Sequence, residues 1–138
     1  MMSNIEFSTE EEHEKIKRQL ANYMEKKYSY IVTHMADAAP RYPQPPKIGR
    51  HIPDILAEKR VGDEVFRAVG EAKSCVDLDD EEIKEQIQDY VFEKSGYEFF
   101  LGVLKRCEGR AKNILKELDV SYSRDKNNHL VAFKINQK

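Results

Sequence analysis

The chain has no apolar run approaching the roughly 20 residues that a bilayer-spanning helix needs, so no membrane segment is expected. Its first residues, "MMSNIEFSTEEEHEK", are acidic and lack the basic-then-apolar order of a secretory leader. Cysteine is scarce. Cys75 and Cys107 are the only two in 138 residues, too few for a disulfide framework and without metal-site spacing. Both are expected to be structural side chains in a cytoplasmic, reducing location. Proline is confined to one stretch, all five falling between Pro40 and Pro53. With no internal repeat, residues 1–138 read as a single domain, long enough to bury one core.

An excess of either charge is also missing. Lys and Arg number 23 against 25 Asp and Glu, a net charge of −2, which argues against a nonspecific nucleic-acid coat protein. It leaves a nucleic-acid enzyme open, because the distribution of charge matters more than its sum. That distribution is uneven. Glutamates crowd the start, and "DLDDEE" (Asp77 to Glu82) is a second acidic block. Basic residues gather in "PRYPQPPKIGRH", with Arg41, Lys47 and Arg50, and in "KRCEGRAKNILK", with Lys105 and Arg106. Each block also reads as a merely solvated face.

Hydrophobic patterning predicts the elements. Ser8 or Thr9 can cap a helix over about Thr9 to Lys27, with Ile16, Leu20, Tyr23 and Met24 at helical spacing. "YSYIVTH" (Tyr28 to His34) reads as a strand, and residues 37–50 as an extended loop. "IPDILA" reads as a short buried strand. A turn at Gly62-Asp63 returns the chain into "VFRAVGEAKS", a second strand. A helix from Asp79 to Gly96, a strand "YEFFLGVLK", a helix "EGRAKNILKELDV" and a closing strand "HLVAFKIN" follow. The order α, β, β, β, α, β, α, β makes an α/β domain with a mixed sheet flanked by helices.

One constellation carries chemistry. Alternation along "VGEAKS" places Glu71 and Lys73 on the same strand face, about 6–7 Å apart by the rise per residue. Asp54 lies in the strand that the Gly62-Asp63 turn folds back alongside. Two carboxylates and an ammonium then meet at one end of a sheet, where unpaired burial would be costly. Carboxylates flanking a main-chain carbonyl suit Mg²⁺, which takes oxygen ligands and serves phosphate substrates. A lysine beside them can orient or deprotonate an attacking water, or balance charge on a phosphate. The alternative reading is a surface salt bridge, since E-x-K is a short pattern.

"IPDILA…VGEAKS", with "SGYEFFLGVLK" after the next helix, resembles the PD-(D/E)xK nuclease superfamily. Within it the chain is most similar to archaeal-type Holliday junction resolvases and related small nucleases. The resemblance implies a restriction-endonuclease-like fold and Mg²⁺-dependent cleavage of DNA, with Mn²⁺ able to substitute. It makes Asp54, Glu71 and the Ala72 carbonyl the metal ligands and Lys73 the catalytic lysine. Members often add a glutamate from the first helix. Glu12 is the best candidate as both ligand and catalytic group, with Glu14 as the fallback and His13 facing a similar way. Gln86 with Tyr90 resembles the Q-x-x-x-Y pattern of the RecB-like branch, which would make Gln86 part of the site, although Tyr90 also reads as ordinary core.

Arg41, Lys47, Arg50, Lys105 and Arg106 are the expected nucleic-acid contacts, giving affinity without sequence information. The expected partner is DNA, and a homodimer is an option, with the "YEFFLGVL" strand and the final strand as its interface. Two other readings stay open: a catalytically silent nucleic-acid-binding module or a structural protein. A nuclease subunit of a defence or mobile-element system is a variant of the first reading.

Overall fold

A computed structural model describes residues 9–93, 97–122 and 127–135, with the side chains of 92 and 93 excepted. The first helix, α1 (Thr9–Tyr28), is followed by strands β1 (Ile31–Met35), β2 (Ile55–Val61) and β3 (Glu64–Lys73). Helix α2 (Glu82–Gln88) runs on into a π-helical turn, Asp89–Glu93, then come β4 (Tyr97–Leu104), α3 (Glu108–Glu117) and β5 (Asn128–Phe133). One five-stranded sheet has the order β1-β2-β3-β4-β5. The first three strands are antiparallel, while β4 and β5 join in parallel. Among the described residues this is an α/β fold with an open mixed sheet and three α-helices.

Alternation along the central strands divides the core in two. Ala68, Phe100 and Val131 face α1, where Leu20 and Met24 cover them. Val69, Phe99, Leu101 and Val103 face the other way, under Ile83, Ile87 and Tyr90 and under Ala111 and Leu115 of α3. Each fully buried aliphatic side chain contributes about 1.5–3 kcal/mol. Close approach of α1 depends on small residues beneath it. A Cβ on Gly70 would stand 3.0 Å from Met24 Sδ, and one on Gly102 would stand 3.1 Å from Leu20 Cδ2.

The predicted order of elements matches the structure, with shifted boundaries. Helix α1 takes in Tyr28, which the sequence assigns to the first strand. Strand β2 continues through Val61, and Asp54 is the residue just before it. The single helix expected from Asp79 to Gly96 is instead a 3₁₀ turn (Asp77–Asp79), α2 and the π turn. Ser8 and Gly96, an expected cap and an expected helix end, lie outside the described residues. Gly62 has φ 63°, the conformation that a two-residue hairpin turn asks of glycine.

The proline-rich stretch, residues 37–50, is an irregular and mostly exposed loop, as expected, anchored by buried Pro45 and Ile48. Ala36 N–H donates to the Asp54 carbonyl at 2.8 Å, and Met35 N–H to the Pro43 carbonyl at 3.1 Å. Ile48 is buried, and Ile48 and His51 bridge a tight turn around Gly49. The expectation for the cysteines also changes. Cys75 and Cys107 form a disulfide, their Cα atoms 5.7 Å apart, tying the end of β3 to the start of α3. Of the two strands named for a homodimer interface, β4 lies between β3 and β5 and is buried from Phe99 to Leu104, while β5 ends the sheet order. Among the described residues, no helix is long and apolar enough to cross a membrane.

Candidate functional site

The site forms where β2 begins and β3 ends. Antiparallel register pairs Ile55 with Gly70, so the next pair outward brings Asp54 beside Glu71. Both carboxylates are buried, Asp54 at 8% exposure and Glu71 at 3%. Asp54 Oδ2 accepts the Ala72 N–H at 2.8 Å, and Asp54 N–H donates to Glu71 Oε1 at 3.2 Å. Lys73 Nζ lies 3.3 Å from Glu71 Oε2, with its side chain 13% exposed. In an extended strand, one residue's N–H and C=O point to the same side. The Ala72 carbonyl therefore shares the edge on which Asp54 sits. The sequence-predicted residues Asp54, Glu71, Ala72 and Lys73 are thus brought together.

The electrostatics of this group are strained in one sense. Burial, then the Asp54 charge beside it, push the Glu71 carboxyl up to about 8 against the partial relief of Lys73. Two carboxylates removed from water resist ionising together. A bound cation would lift that resistance.

The first helix contributes differently from expectation. Glu12 is buried but does not join Asp54 and Glu71. One of its oxygens accepts the Cys75 N–H at 3.1 Å, and the other pairs with Arg106 Nη2 at 3.1 Å. His13 reaches the site instead, its Nε2 3.1 Å from Asp54 Oδ2. That hydrogen bond, opposed by burial and helped by the charges of Asp54 and Glu71, raises the imidazole pKa. Behind it, Glu14 Oε2 takes the Lys17 ammonium at 2.8 Å, and Lys17 also donates to the Ala36 carbonyl at 2.7 Å. Lys17 is 1% exposed. The sequence reading passed over it, although its place one residue after Ile16 puts it on the inward side of α1.

Gln86 and Tyr90 are both buried above the face that carries Glu71. Tyr90 lies close enough to Glu71 and Asp54 that burial, then their charges, raise its phenol pKa. Its hydroxyl stands near Glu71 without closing a hydrogen bond, and Gln86 Oε1 is likewise buried without a partner. Both atoms are polar groups left for a ligand or water of this site to satisfy.

The loop before Asp54 is clamped to α2. Asp89 accepts the Arg50 N–H at 2.8 Å and the Arg50 guanidinium at 2.9 Å, while His51 Nε2 meets Glu85 Oε1 at 2.8 Å. Arg50 is thereby held by acids, as are two other expected DNA contacts. Lys105 pairs with Glu108 at 3.0 Å and Arg106 with Glu12. Arg41 lies over the Tyr42 ring and Lys47 is exposed.

Among the described residues, no group of three or more His, Cys, Asp and Glu side chains is arranged to hold a metal ion. A cation here would rest on Asp54, Glu71 and the Ala72 carbonyl, with its other positions filled by water or substrate oxygens. Mg²⁺ commonly binds through one or two carboxylates in that way. The donors are hard oxygens, the Glu71 charge calls for a cation, and the residues present fit such an ion.

These features define an α/β protein with buried Asp54 and Glu71 and half-buried Lys73 at the ends of two inner strands of a mixed sheet. No family model, no curated protein and no solved structure matches the chain.

Proposed function

We propose that this protein is a metal-dependent endonuclease of the PD-(D/E)xK type, with a restriction-endonuclease-like fold, hydrolysing DNA phosphodiester bonds. The observation that supports this reading best is the meeting of Asp54, Glu71 and Lys73 at the mouth of the β2–β3 pair. A mixed sheet flanked by helices is compatible with it. A Mg²⁺ ion bound by Asp54, Glu71 and the Ala72 carbonyl would supply positive charge to a phosphodiester oxygen.

The protein's own residues would do the rest. Asp54 is fixed by the Ala72 N–H and His13, so its carboxylate is oriented before any ligand arrives. Preorganisation of this kind lowers the cost of binding and of reaching the transition state. Lys73, partly exposed and tethered to Glu71, would hold an attacking water and balance charge on the phosphate. Tyr90 and Gln86 would close the inner wall.

The test is cleavage of labelled duplex, single-stranded, flap and four-way-junction DNAs with Mg²⁺ or Mn²⁺. Metal-dependent products from the wild type that Asp54→Ala fails to make support the reading, and the preferred DNA names the substrate. Binding of DNA without cleavage of any of them would replace it with a silent binding module of the same fold.

A further inference from the structure

Three of the basic residues expected to meet DNA, Arg50, Lys105 and Arg106, are engaged by acids of the protein. A different basic surface lies on the α1 side of the sheet. Helix α1 carries exposed Arg18, Asn22 and Lys26 and half-buried Lys15, spaced three or four residues apart and so on one face. It extends over roughly 16 Å at the rise of an α-helix. Opposite it stand Phe133 at the end of β5, then Lys134 and Ile135.

Between these walls lie two hollows of about 340 and 470 Å³, which share Gln19 and Asn22 and so form one groove, while a third, of about 400 Å³, adjoins them at Phe133, Lys134 and Ile135 but has no wall from α1. Lys26 and Lys27 line one end of the groove, and Lys15, Arg18 and Lys134 the other. Lys105 and Arg106, the two already engaged by acids, line only the third hollow. Among the described residues, no acid lines any of the three, in a chain whose acids outnumber its bases. None of the ion pairs among the described residues involves Arg18, Lys26, Lys27 or Lys134. Part of the groove floor is aromatic, Tyr23 meeting Phe133 edge to face at 6.2 Å.

The third hollow is linked to the end of β3 through side chains: Arg106 holds Glu12, and Glu12 accepts the N–H of Cys75, two residues beyond Lys73. We infer that the groove between α1 and the end of β5 binds the phosphate backbone of a nucleic acid, outside the hydrolytic centre and without reading sequence. The choice of nucleic acid as ligand rests on the nuclease reading. A concave, basic channel with no acids suits a polyanionic strand, since lysine and arginine contacts to phosphates release counterions whatever the sequence. An anionic membrane would instead meet a flat or convex surface with apolar side chains standing out from it.

The test combines Arg18→Gln, Lys26→Gln, Lys27→Gln and Lys134→Gln, all exposed positions, with folding checked by thermal melting. Binding of a fluorescein-labelled DNA duplex is read by anisotropy in EDTA, from about 50 to 200 mM KCl, the range over which phosphate contacts tell. The expected result is at least about a tenfold loss of affinity and a salt slope shallower by about three to four, one per lost phosphate contact. Wild-type affinity and slope in the variant would overturn the inference. So would a wild type that binds no duplex, or that binds phosphatidylserine vesicles instead. Asp54→Asn separates the two claims. If it loses cleavage while the quadruple variant binds DNA normally, the groove alone is wrong. If the quadruple variant loses binding but the wild type cleaves nothing, the hydrolytic reading alone is wrong.

Discussion

Asp54 Oδ2 accepts the main-chain N–H of Ala72 at 2.8 Å, across the point where β2 begins and β3 ends. That single bond fixes a carboxylate beside Glu71 and Lys73 and leaves the second Asp54 oxygen for other work.

Asp54→Asn should lose both metal binding and cleavage, whereas Lys73→Ala should keep metal binding and lose cleavage. A missing group of this kind typically costs 10²–10⁴-fold, by about the size of a general acid–base contribution. Calorimetric titration with Mn²⁺ beside a cleavage assay checks the split. Equal loss of metal binding in both variants would contradict the division of roles.

Glu71 makes a stability prediction with a definite sign. Between the ordinary carboxyl value of 4.5 and about 8, the folded protein holds a proton that the unfolded chain has released. Stability therefore falls as pH rises through that window. Glu71→Gln keeps a hydrogen-bonding side chain and removes the charge. In EDTA the variant should melt higher than wild type at pH 8, with the gap shrinking toward pH 5. A gap independent of pH would contradict this.

How far the site was legible turns on particular residues. Asp54, Glu71 and Lys73 were readable because strand alternation and a glycine turn are local rules. Spacing favours Glu12 over His13, since Glu12 stands four residues before Ile16 on the face shared with Leu20, but spacing does not say which side chain meets β2. The structure sends His13 to Asp54 and leaves Glu12 to Arg106. That pairing, 94 residues apart in sequence, has no local signature. The disulfide between Cys75 and Cys107 is equally nonlocal, since it depends on β4 laying its end beside β3. The π turn after α2 was hidden because its residues continue a helical pattern.

Gly49 should be hard to replace. It has φ 63°, and a Cβ there would stand 2.7 Å from Asp89 Cγ. Gly49→Ala is expected to cost about 1–3 kcal/mol through backbone strain and to loosen the Arg50–Asp89 clamp. Asp89→Ala should cost a similar amount, because it removes the carboxylate that accepts the Arg50 N–H. Arg50 lowers the Asp89 pKa, so the clamp's contribution is present above the unfolded carboxyl value and lost as pH falls. Urea unfolding at neutral and acid pH measures both. Wild-type stability in Gly49→Ala would contradict the clamp.

At the other end of the sheet, His129 is buried and stacked on Phe100 at 4.5 Å, with Nε2 2.6 Å from Glu98 Oε2. Tyr30 donates a hydrogen bond to the same carboxylate. Burial raises the Glu98 pKa, but His129, Tyr30 and Lys59 outweigh it and the net shift is downward. Its stabilising contribution is therefore present above about 4.5 and lost as pH falls. Glu98→Gln should lower the melting temperature at neutral pH and make it less sensitive to acid. An unchanged acid limb would contradict this.

The most direct measurement of the central claim is nicking of supercoiled plasmid by wild type, Asp54→Asn and Lys73→Ala in Mg²⁺, Mn²⁺ and EDTA. The account predicts open-circle and linear products from wild type with either metal, none in EDTA, and none from the two variants, which melt cooperatively. Products that persist in EDTA, or in either variant, would contradict it.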